Sequence, residues 1–175
     1  MNIFMTHPSP VQSARWLDDV RVNKMFIESC QLLSTAIRII SNDDLTICDG
    51  IYKPTHKNHG CAIWVRTARD NYTWVVQHAR ELYRLYHKKS NRVHACLAIL
   101  DRLEPLAYII PDGSTEPYNG ARNKEHKVDY TDERNVYTAY RKYLTARWKL
   151  DRRTPTWVER EVPFWIATYD NDANI

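Results

Sequence analysis

The stretch from residue 17 to residue 40, LDDVRVNKMFIESCQLLSTAIRII, constrains the fold more than any other part of the chain. Apolar residues recur in it every three or four positions, which is the spacing of one face of an α-helix. The apolar face consists of Val22, Met25, Phe26, Cys30, Leu33, Ala36, Ile37 and Ile40. We therefore expect a long helix that is buried along one side and around which the rest of the chain packs.

The opposite side of this helix carries polar residues that stand above one another at helical spacing. The polar row consists of Arg21, Lys24, Glu28, Gln31, Thr35 and Arg38. A mixed-charge row of this kind is typical either of a solvated helix face or of the wall of a binding site. The periodicity alone does not distinguish these two possibilities.

Size and composition favour one folded domain. The chain has 175 residues, of which 43% are hydrophobic and 26% are charged, as in folded soluble proteins. No apolar run approaches the roughly 20 residues that a membrane-spanning helix needs. The opening residues do not resemble a signal peptide, and the four scattered cysteines fit reduced thiols. We expect a cytoplasmic protein with no membrane partner.

The positive charge is concentrated in one part of the chain. Residues 51–100 hold 9 Lys and Arg against 2 Asp and Glu, whereas the net charge of the whole chain is only +4. Such a block suggests an anionic partner such as nucleic acid, although a basic helix face also serves solubility.

A second long helix is predicted over residues 60–88 from the same periodicity. Its polar side carries Arg66, Arg69, Arg80 and Arg84. These arginines could contact successive phosphates, or they could pair with Asp70 and Glu81 in a solvated lattice.

The remaining pattern predicts two more helices, over residues 92–103 and 131–149. The packing stripe of the last helix is Val136, Tyr137, Tyr140, Tyr143, Leu144 and Trp148. Residues 2–5 could form a strand or an extended arm, and residues 104–130 a long irregular loop. The aromatic segments 154–158 and 163–166 are expected to dock as a tail, although their rings could also stack bases. The predicted fold class is all-α, a single compact domain of about four helices with a long irregular loop and an aromatic C-terminal tail.

A polar turn, His56-Lys57-Asn58-His59, precedes the second long helix. We expect Asn58 to cap this helix. The imidazoles and amides could also donate to a phosphate or a base at the helix N-terminus. Two histidines and the nearby Cys61 lack a fourth ligand at a recognisable spacing, so no metal is predicted.

The order of these features resembles the pyrimidine-dimer DNA glycosylase family of the phage endonuclease V type. The resemblance rests on the opening MNIFMTHP, the helix with Arg21, the turn Lys57-Asn58-His59 and the later Pro155-Thr156-Trp157. The chain resembles even more closely small uncharacterised phage proteins that open with Met-Asn-Ile-Phe. These carry an Asp-x-x-Val-x-Lys-Met-x-x-Glu helix, which here runs from Asp19 to Glu28. The likeness covers most of the chain in order, in short pieces.

This resemblance implies one helical glycosylase-like domain over residues 1–175. It implies that the protein binds double-stranded DNA with a damaged or modified base and excises the base without a metal or other cofactor. In the family, the N-terminal amine attacks the sugar C1′ and forms a Schiff base, while an acidic side chain on the first long helix assists. An α-amine ordinarily has a pKa of about 7.7–8.0, against about 10.4 for lysine, so it is a useful nucleophile at neutral pH. A phage-encoded protein would act in the host cytoplasm.

The chain departs from the family at two positions. Val22 stands directly after Arg21, where the family has its catalytic glutamate. Asn2 is larger than the residue that the phage enzymes expose after loss of the initiator methionine. Met1 is therefore predicted to be retained and to supply the amine, with Asp19 or Glu28 as the acid.

The predicted catalytic residues are thus Met1, Asp19 and Glu28. The predicted DNA-binding residues are Arg21, Lys24, His56, Lys57, Asn58, His59, Arg66 and Arg69. All of this requires the amine, the polar row and the histidine turn to converge on one electropositive pocket. Two other functions fit the same residues: a DNA base- or nucleotide-modifying transferase without lyase chemistry, and a non-enzymatic phage protein that binds DNA or a host protein.

Overall fold

The computed structural model describes residues 1–166, which form seven α-helices, a 3₁₀-helix and one short hairpin. The helices are α1 (Pro10–Arg15), α2 (Asp19–Ile40), α3 (Leu45–Cys48), α4 (Gly60–Thr67), α5 (Arg69–Ser90), α6 (Leu97–Leu103) and α7 (Val136–Leu150). The 3₁₀-helix spans Glu104–Ile109, and β1 (Arg122–Asn123) pairs antiparallel with β2 (Val128–Asp129). The predicted all-α fold is confirmed.

Helix α2 lies at the centre of the fold and contacts α3, α4, α5 and α6. Its predicted apolar face is buried except at the last residue, Ile40, which is 38% exposed. Its polar row is not a solvated face, because Arg21 and Thr35 are buried and only Lys24 is exposed. The other members are partly buried, so the rest of the chain covers most of the row.

The first predicted long helix is found as the unbroken α2. The second is divided at Ala68, whose φ of −147° and ψ of 146° are extended. No glycine or proline lies there to cause the break. Instead, the backbone amides of Arg69 and Asp70 donate to the carbonyls of Pro111 and Gly113. A distant loop thus caps α5, which explains why helical periodicity did not reveal the break.

Two predicted helix starts are corrected by the capping side chains. The last helix begins at Val136 and not at residue 131, because the side-chain oxygen of Asn135 caps α7 by accepting from a backbone amide in the first turn at 3.0 Å. Helix α4 is capped by His59 and not by Asn58, since the His59 ring accepts from the backbone amide of Cys61. The predicted third helix begins later than expected, at Leu97.

The aromatic tail docks as predicted. The ring of Trp165 is buried against Trp16, with 4.6 Å between ring centroids. Trp157 donates its indole N–H to the Trp16 carbonyl at 3.1 Å, and Arg160 donates to the carbonyl of Leu17 at 2.8 Å. The tail therefore covers the junction between α1 and α2.

The buried apolar side chains of the described residues form one continuous core. Residues 104–130 wrap around it and, apart from the 3₁₀-helix and the hairpin, are irregular as predicted. Within residues 1–166, no helix combines the length and the apolar character that crossing a bilayer requires.

Candidate active site at the amino terminus

The first residues are anchored as an extended arm. Ile3 and Met5 are each 2% exposed in the core, and the side chain of Met1 is 3% exposed. This confirms the predicted packing of residues 2–5, which do not form a strand. Because three side chains hold the arm, the position of the terminal amine is defined by packing.

The amine nitrogen of Met1 lies 3.9 Å from Oε2 of Glu28. The same oxygen accepts a hydrogen bond from the backbone amide of Asn2 at 3.0 Å. Glu28 follows Arg21 by two helical turns and so projects from the same side of α2. Val22, at the position of the family glutamate, is buried in the core. Glu28 therefore places a carboxylate beside the amine from a different position on the helix.

Asp19, the other predicted acid, belongs to a separate network. Its carboxylate is held by Lys89 at 2.9 Å, by Arg160 at 2.6 Å and by the Thr156 hydroxyl at 2.9 Å. Burial on its own would raise the pKa of Asp19, but these hydrogen bonds outweigh it and lower the pKa. The structure thus brings Glu28 to the amine and uses Asp19 to hold the docked tail.

Asn2 connects the amine to two distant parts of the chain. Its Oδ1 accepts from the Tyr140 hydroxyl at 2.8 Å, and its Nδ2 donates to the Gly120 carbonyl at 2.9 Å. The Gly120 amide in turn donates to the Tyr140 hydroxyl at 3.0 Å. Burial above all raises the pKa of Tyr140 well above its usual range, so the phenol stays neutral. The sequence placed Tyr140 only in a packing stripe and missed Asn2 as an anchor, although a buried tyrosine hydroxyl generally needs a partner.

His59 is a neutral N–H donor at the start of α4, whose Cys61 lies 3.9 Å from Asn2 of the N-terminal arm. Its Nδ1 accepts from the Cys61 amide at 3.2 Å, which places the proton of the neutral ring on Nε2. Burial, followed by the positive charges of the Met1 amine and His56, lowers the pKa of His59, while Glu28 opposes this shift. At neutral pH the ring is therefore uncharged and able to donate from Nε2.

Two further residues complete this part of the site. The thiol of Cys61 lies 3.9 Å from Oδ1 of Asn2, and burial raises its pKa to about 12, so it is not a thiolate nucleophile at neutral pH. The ring of Tyr118 lies on Gly60, where an added Cβ would come within 2.1 Å of the ring. Glycine at position 60 thus allows Tyr118 to close over the start of α4.

The rest of the histidine turn is exposed: His56, Lys57 and Asn58 all face solvent. His56 has a left-handed backbone with φ of 48°, and its ring nitrogen is 2.7 Å from the Thr55 hydroxyl. Of the turn, only His59 is partly buried. The other three side chains remain exposed to solvent.

A cavity of about 400 Å³ opens along the polar row, and we call it the basic cavity. Five cationic side chains line it against two acidic ones, Asp18 and Asp151. The cationic ones are Arg21, Lys24, Arg147, Arg152 and Arg153. Lys24 also links this cavity to the amine site, since its Nζ lies 3.7 Å from Oε1 of Glu28. The cavity therefore favours an anionic ligand, although Met1, Glu28 and His59 themselves do not line it.

Arg21 is the most constrained cation of the basic cavity. Its guanidinium donates to Asp18 and to Asp151, each at 2.8 Å. Burial would lower the pKa of Arg21, but the two carboxylates outweigh it and raise the pKa. Phe4, which also lines the cavity, has a left-handed backbone with φ of 56°. Such a conformation is rare for an aromatic residue and is usually imposed by its surroundings.

The predicted arginine face of α4 and α5 is engaged within the protein. Arg66 donates to the Lys57 carbonyl at 2.6 Å. Arg69 donates to the carbonyls of Ala107, Tyr108 and Ile110 and pairs with Asp112. Arg80 pairs with Asp101 and Glu104, and Arg84 with Glu81. The structure therefore does not bring Arg66 and Arg69 to the amine.

Among residues 1–166, no group of three or more His, Cys, Asp or Glu side chains is arranged to hold a metal ion. Comparisons with protein-family models, with curated proteins and with solved structures found no match to this chain. The function must therefore be inferred from the geometry of the amine, Glu28, His59 and the basic cavity.

Proposed function

We propose that the protein is a DNA base-excision glycosylase/AP-lyase-like enzyme that acts on damaged or modified pyrimidines through the α-amine of Met1. The observation that carries this proposal is the 3.9 Å separation between the Met1 nitrogen and Glu28. An amine beside a carboxylate, with a neutral imidazole on the same part of the chain surface and a cationic cavity connected through Lys24, supplies the groups that amine-based excision needs.

In the proposed reaction, Glu28 accepts a proton from the Met1 ammonium group. The free amine then attacks C1′ of the deoxyribose, and the bond from C1′ to the base breaks as the base leaves with a proton. The sugar ring opens to give a Schiff base between the Met1 nitrogen and C1′. His59 donates from Nε2 toward the sugar, and loss of a C2′ proton then expels the 3′ phosphate.

The basic cavity would hold the phosphates that flank the target nucleotide. Lys24, Arg152 and Arg153 are exposed there, whereas Arg21 is anchored by two carboxylates. A damaged base is easier to unstack than a normal one, which favours its capture at a pocket of this size. The exposed side chains of His56, Lys57 and Asn58 would contact the DNA backbone.

Borohydride trapping tests this proposal. The protein, verified by mass to carry a free Met1 amine, is mixed with duplexes that contain an abasic site or a pyrimidine lesion. We expect a reduced covalent adduct that peptide mapping places on Met1 and that disappears when the amine is acetylated. No adduct with any of these duplexes, or an adduct on Lys24 that survives acetylation of the α-amine, would contradict the proposal.

A second candidate is a DNA base- or nucleotide-modifying transferase. Two observations favour it: the basic cavity of about 400 Å³ suits a single nucleotide, and the α5 arginines do not form a free phosphate track. Because the α5 arginines are paired with acids, the structure also argues against a non-enzymatic protein that binds DNA through these arginines. Titration with nucleoside monophosphates separates the candidates, since saturable nucleotide binding without any trapped adduct would favour the transferase.

A further inference from the structure

A second cavity, of about 500 Å³, lies on the other side of the N-terminal arm, and we call it the acidic aromatic cavity. Met5 and Pro8 of the arm form part of its lining. Three aromatic residues and two acidic residues are among its lining: Trp64, Trp74 and Tyr137, with Asp70 and Glu116. Its described lining contains no Lys, Arg or His, although the protein is basic overall.

The aromatic walls are held in fixed positions. The rings of Trp64 and Trp74 meet at 77° with 6.4 Å between centroids, which forms a corner. Trp74 donates its indole N–H to the Pro8 carbonyl at 2.7 Å and stacks on His78 at 5.1 Å. Because His78 is fully buried, it remains neutral and does not place a positive charge behind the tryptophan.

The segment that carries Glu116 is also anchored. The buried side chain of Asn71 donates to the Trp64 carbonyl at 2.8 Å and to the Thr115 hydroxyl at 2.6 Å. The Thr115 amide donates back to Asn71 at 3.3 Å. Glu116 is therefore held next to Tyr137, and its charge contributes to raising the pKa of that phenol, after burial.

The two carboxylates differ from most acids of this protein, which pair with a cation. Among residues 1–166, neither Asp70 nor Glu116 has an ion-pair partner, whereas Asp101 and Glu104 share Arg80. Asp70 lies in the first turn of α5, where it also complements the helix dipole. Glu116 lies in a loop and has no such role, so the cavity presents a negative charge that the fold itself does not use.

We infer that the acidic aromatic cavity binds an organic cation, an alkylated ammonium group whose apolar body contacts the tryptophan corner and whose charge faces Asp70 and Glu116. Aromatic rings with nearby carboxylates attract such cations through the ring quadrupole and through direct charge pairing. The volume is that of an ordinary small-molecule site. This inference does not depend on the proposed excision reaction, because the cavity contains neither Met1 nor Glu28.

The test compares two ligands of nearly identical shape, choline and its neutral isostere 3,3-dimethyl-1-butanol, on the unmodified protein by calorimetry. We expect choline to bind about tenfold more tightly than the neutral alcohol, from the attraction of the charge to the rings and carboxylates. The indole N–H signals of Trp64 and Trp74, assigned by single Phe variants, should shift on choline addition. Equal affinity for both ligands, or no binding of choline, would overturn the inference.

Charge-neutralising variants locate the ligand. Asp70→Asn and Glu116→Gln should each weaken choline binding by about threefold, as for partly exposed ion pairs, and by roughly tenfold together. Glu125→Gln, an exposed acid in the hairpin turn, is the matched control and should leave the affinity unchanged. Circular dichroism confirms that each variant is folded. Choline binding that neither cavity variant weakens would place the ligand elsewhere and refute the inference. Glu28→Gln, which lies outside this cavity, should bind choline as the unmodified protein does.

Discussion

The two cavities on either side of the N-terminal arm differ in the sign of their charge. Phe4 lines the basic cavity, where five cations face two acids, whereas Met5 and Pro8 line the acidic aromatic cavity, where two acids face no cation. The net charge of +4 describes neither of them. Consecutive residues of one short segment thus border sites that would select ligands of opposite charge.

This difference shows that ligand selection depends on how charges are grouped in space. The basic block at residues 51–100 suggested an anionic partner, yet Arg80 and Arg84 pair with acids on neighbouring turns and helices. The cations that line the basic cavity come instead from α2, from α7 and from the residues after it. Substitutions that act on one cavity only can test the comparison.

The largest effect is expected from Glu28→Gln. Loss of the carboxylate beside the amine should lower borohydride trapping on abasic DNA about 100-fold or more, because general base assistance typically contributes that much. Asp19→Asn is the matched control, which should loosen the docked tail and lower thermal stability while trapping persists. If Asp19→Asn abolished trapping and Glu28→Gln did not, Asp19 would be the catalytic acid. The proposed site at Met1 and Glu28 would then be wrong.

Acid pH should reveal the buried histidine behind the acidic aromatic cavity. Burial lowers the pKa of His78 to about 3, from an ordinary value near 6.5. Below about pH 6.5 the unfolded chain therefore binds a proton that the folded protein rejects, so the stability falls as pH falls. From pH 7.5 to pH 5 this group should remove about 2 kcal/mol of the free energy of unfolding.

The check is urea unfolding of the protein and of His78→Phe at both pH values. The variant keeps a ring against Trp74 but has no titrating nitrogen, so its stability should change less on acidification by about the same 2 kcal/mol. Identical pH dependence in the two proteins would show that His78 does not titrate in this way.

Gly60→Ala should disturb the boundary of the amine site. The new Cβ would lie 2.1 Å from the Tyr118 ring, so the ring must move, at a cost of about 1–3 kcal/mol in the free energy of unfolding. The same substitution made in a Tyr118→Ala background should cost much less, because the clashing ring is absent. If Gly60→Ala lowered the free energy of unfolding equally in both backgrounds, the Tyr118 ring would not be the cause of the destabilisation.

The smallest effect is expected from the paired substitution Arg152→Ala and Arg153→Ala. Removing two exposed cations should weaken binding of a nucleoside monophosphate about fivefold and reduce its salt dependence, while choline binding stays unchanged. Lys53→Ala with Arg92→Ala removes the same charge from exposed positions outside the basic cavity and serves as the control. If the control pair weakens the binding equally, net charge rather than the cavity governs it.

Local periodicity predicted the helical class and the buried face of α2, because both depend on residues close in sequence. The aromatic residues near the end of the chain predicted the docked tail, because large apolar side chains favour burial. Local periodicity did not predict the break at Ala68, since the carbonyls of Pro111 and Gly113 that cause it come from a distant loop. The sequence identified the residues of the polar row correctly. It did not show whether the row is exposed to solvent, because that depends on the other helices that cover it.

The candidate site shows the same division. Met1 and Glu28 were singled out from the sequence, and the structure brings them together. Asn2 and Tyr140 were missed as anchors because their hydrogen bond joins residues separated by 138 positions. The choice between Asp19 and Glu28 also needed the fold, since only the docked tail shows where the Asp19 carboxylate is used.

The docking of the tail has a consequence for the order in which the protein matures during synthesis. Arg21 finds its partner Asp151 only after 130 further residues have been added, and Asp19 waits longer still for Arg160. At ordinary rates of translation this delay is on the order of ten seconds. The central helix therefore emerges from the ribosome before the partners of its first turn exist, and the basic cavity beside Arg21 forms only after residues 151–153 have been added.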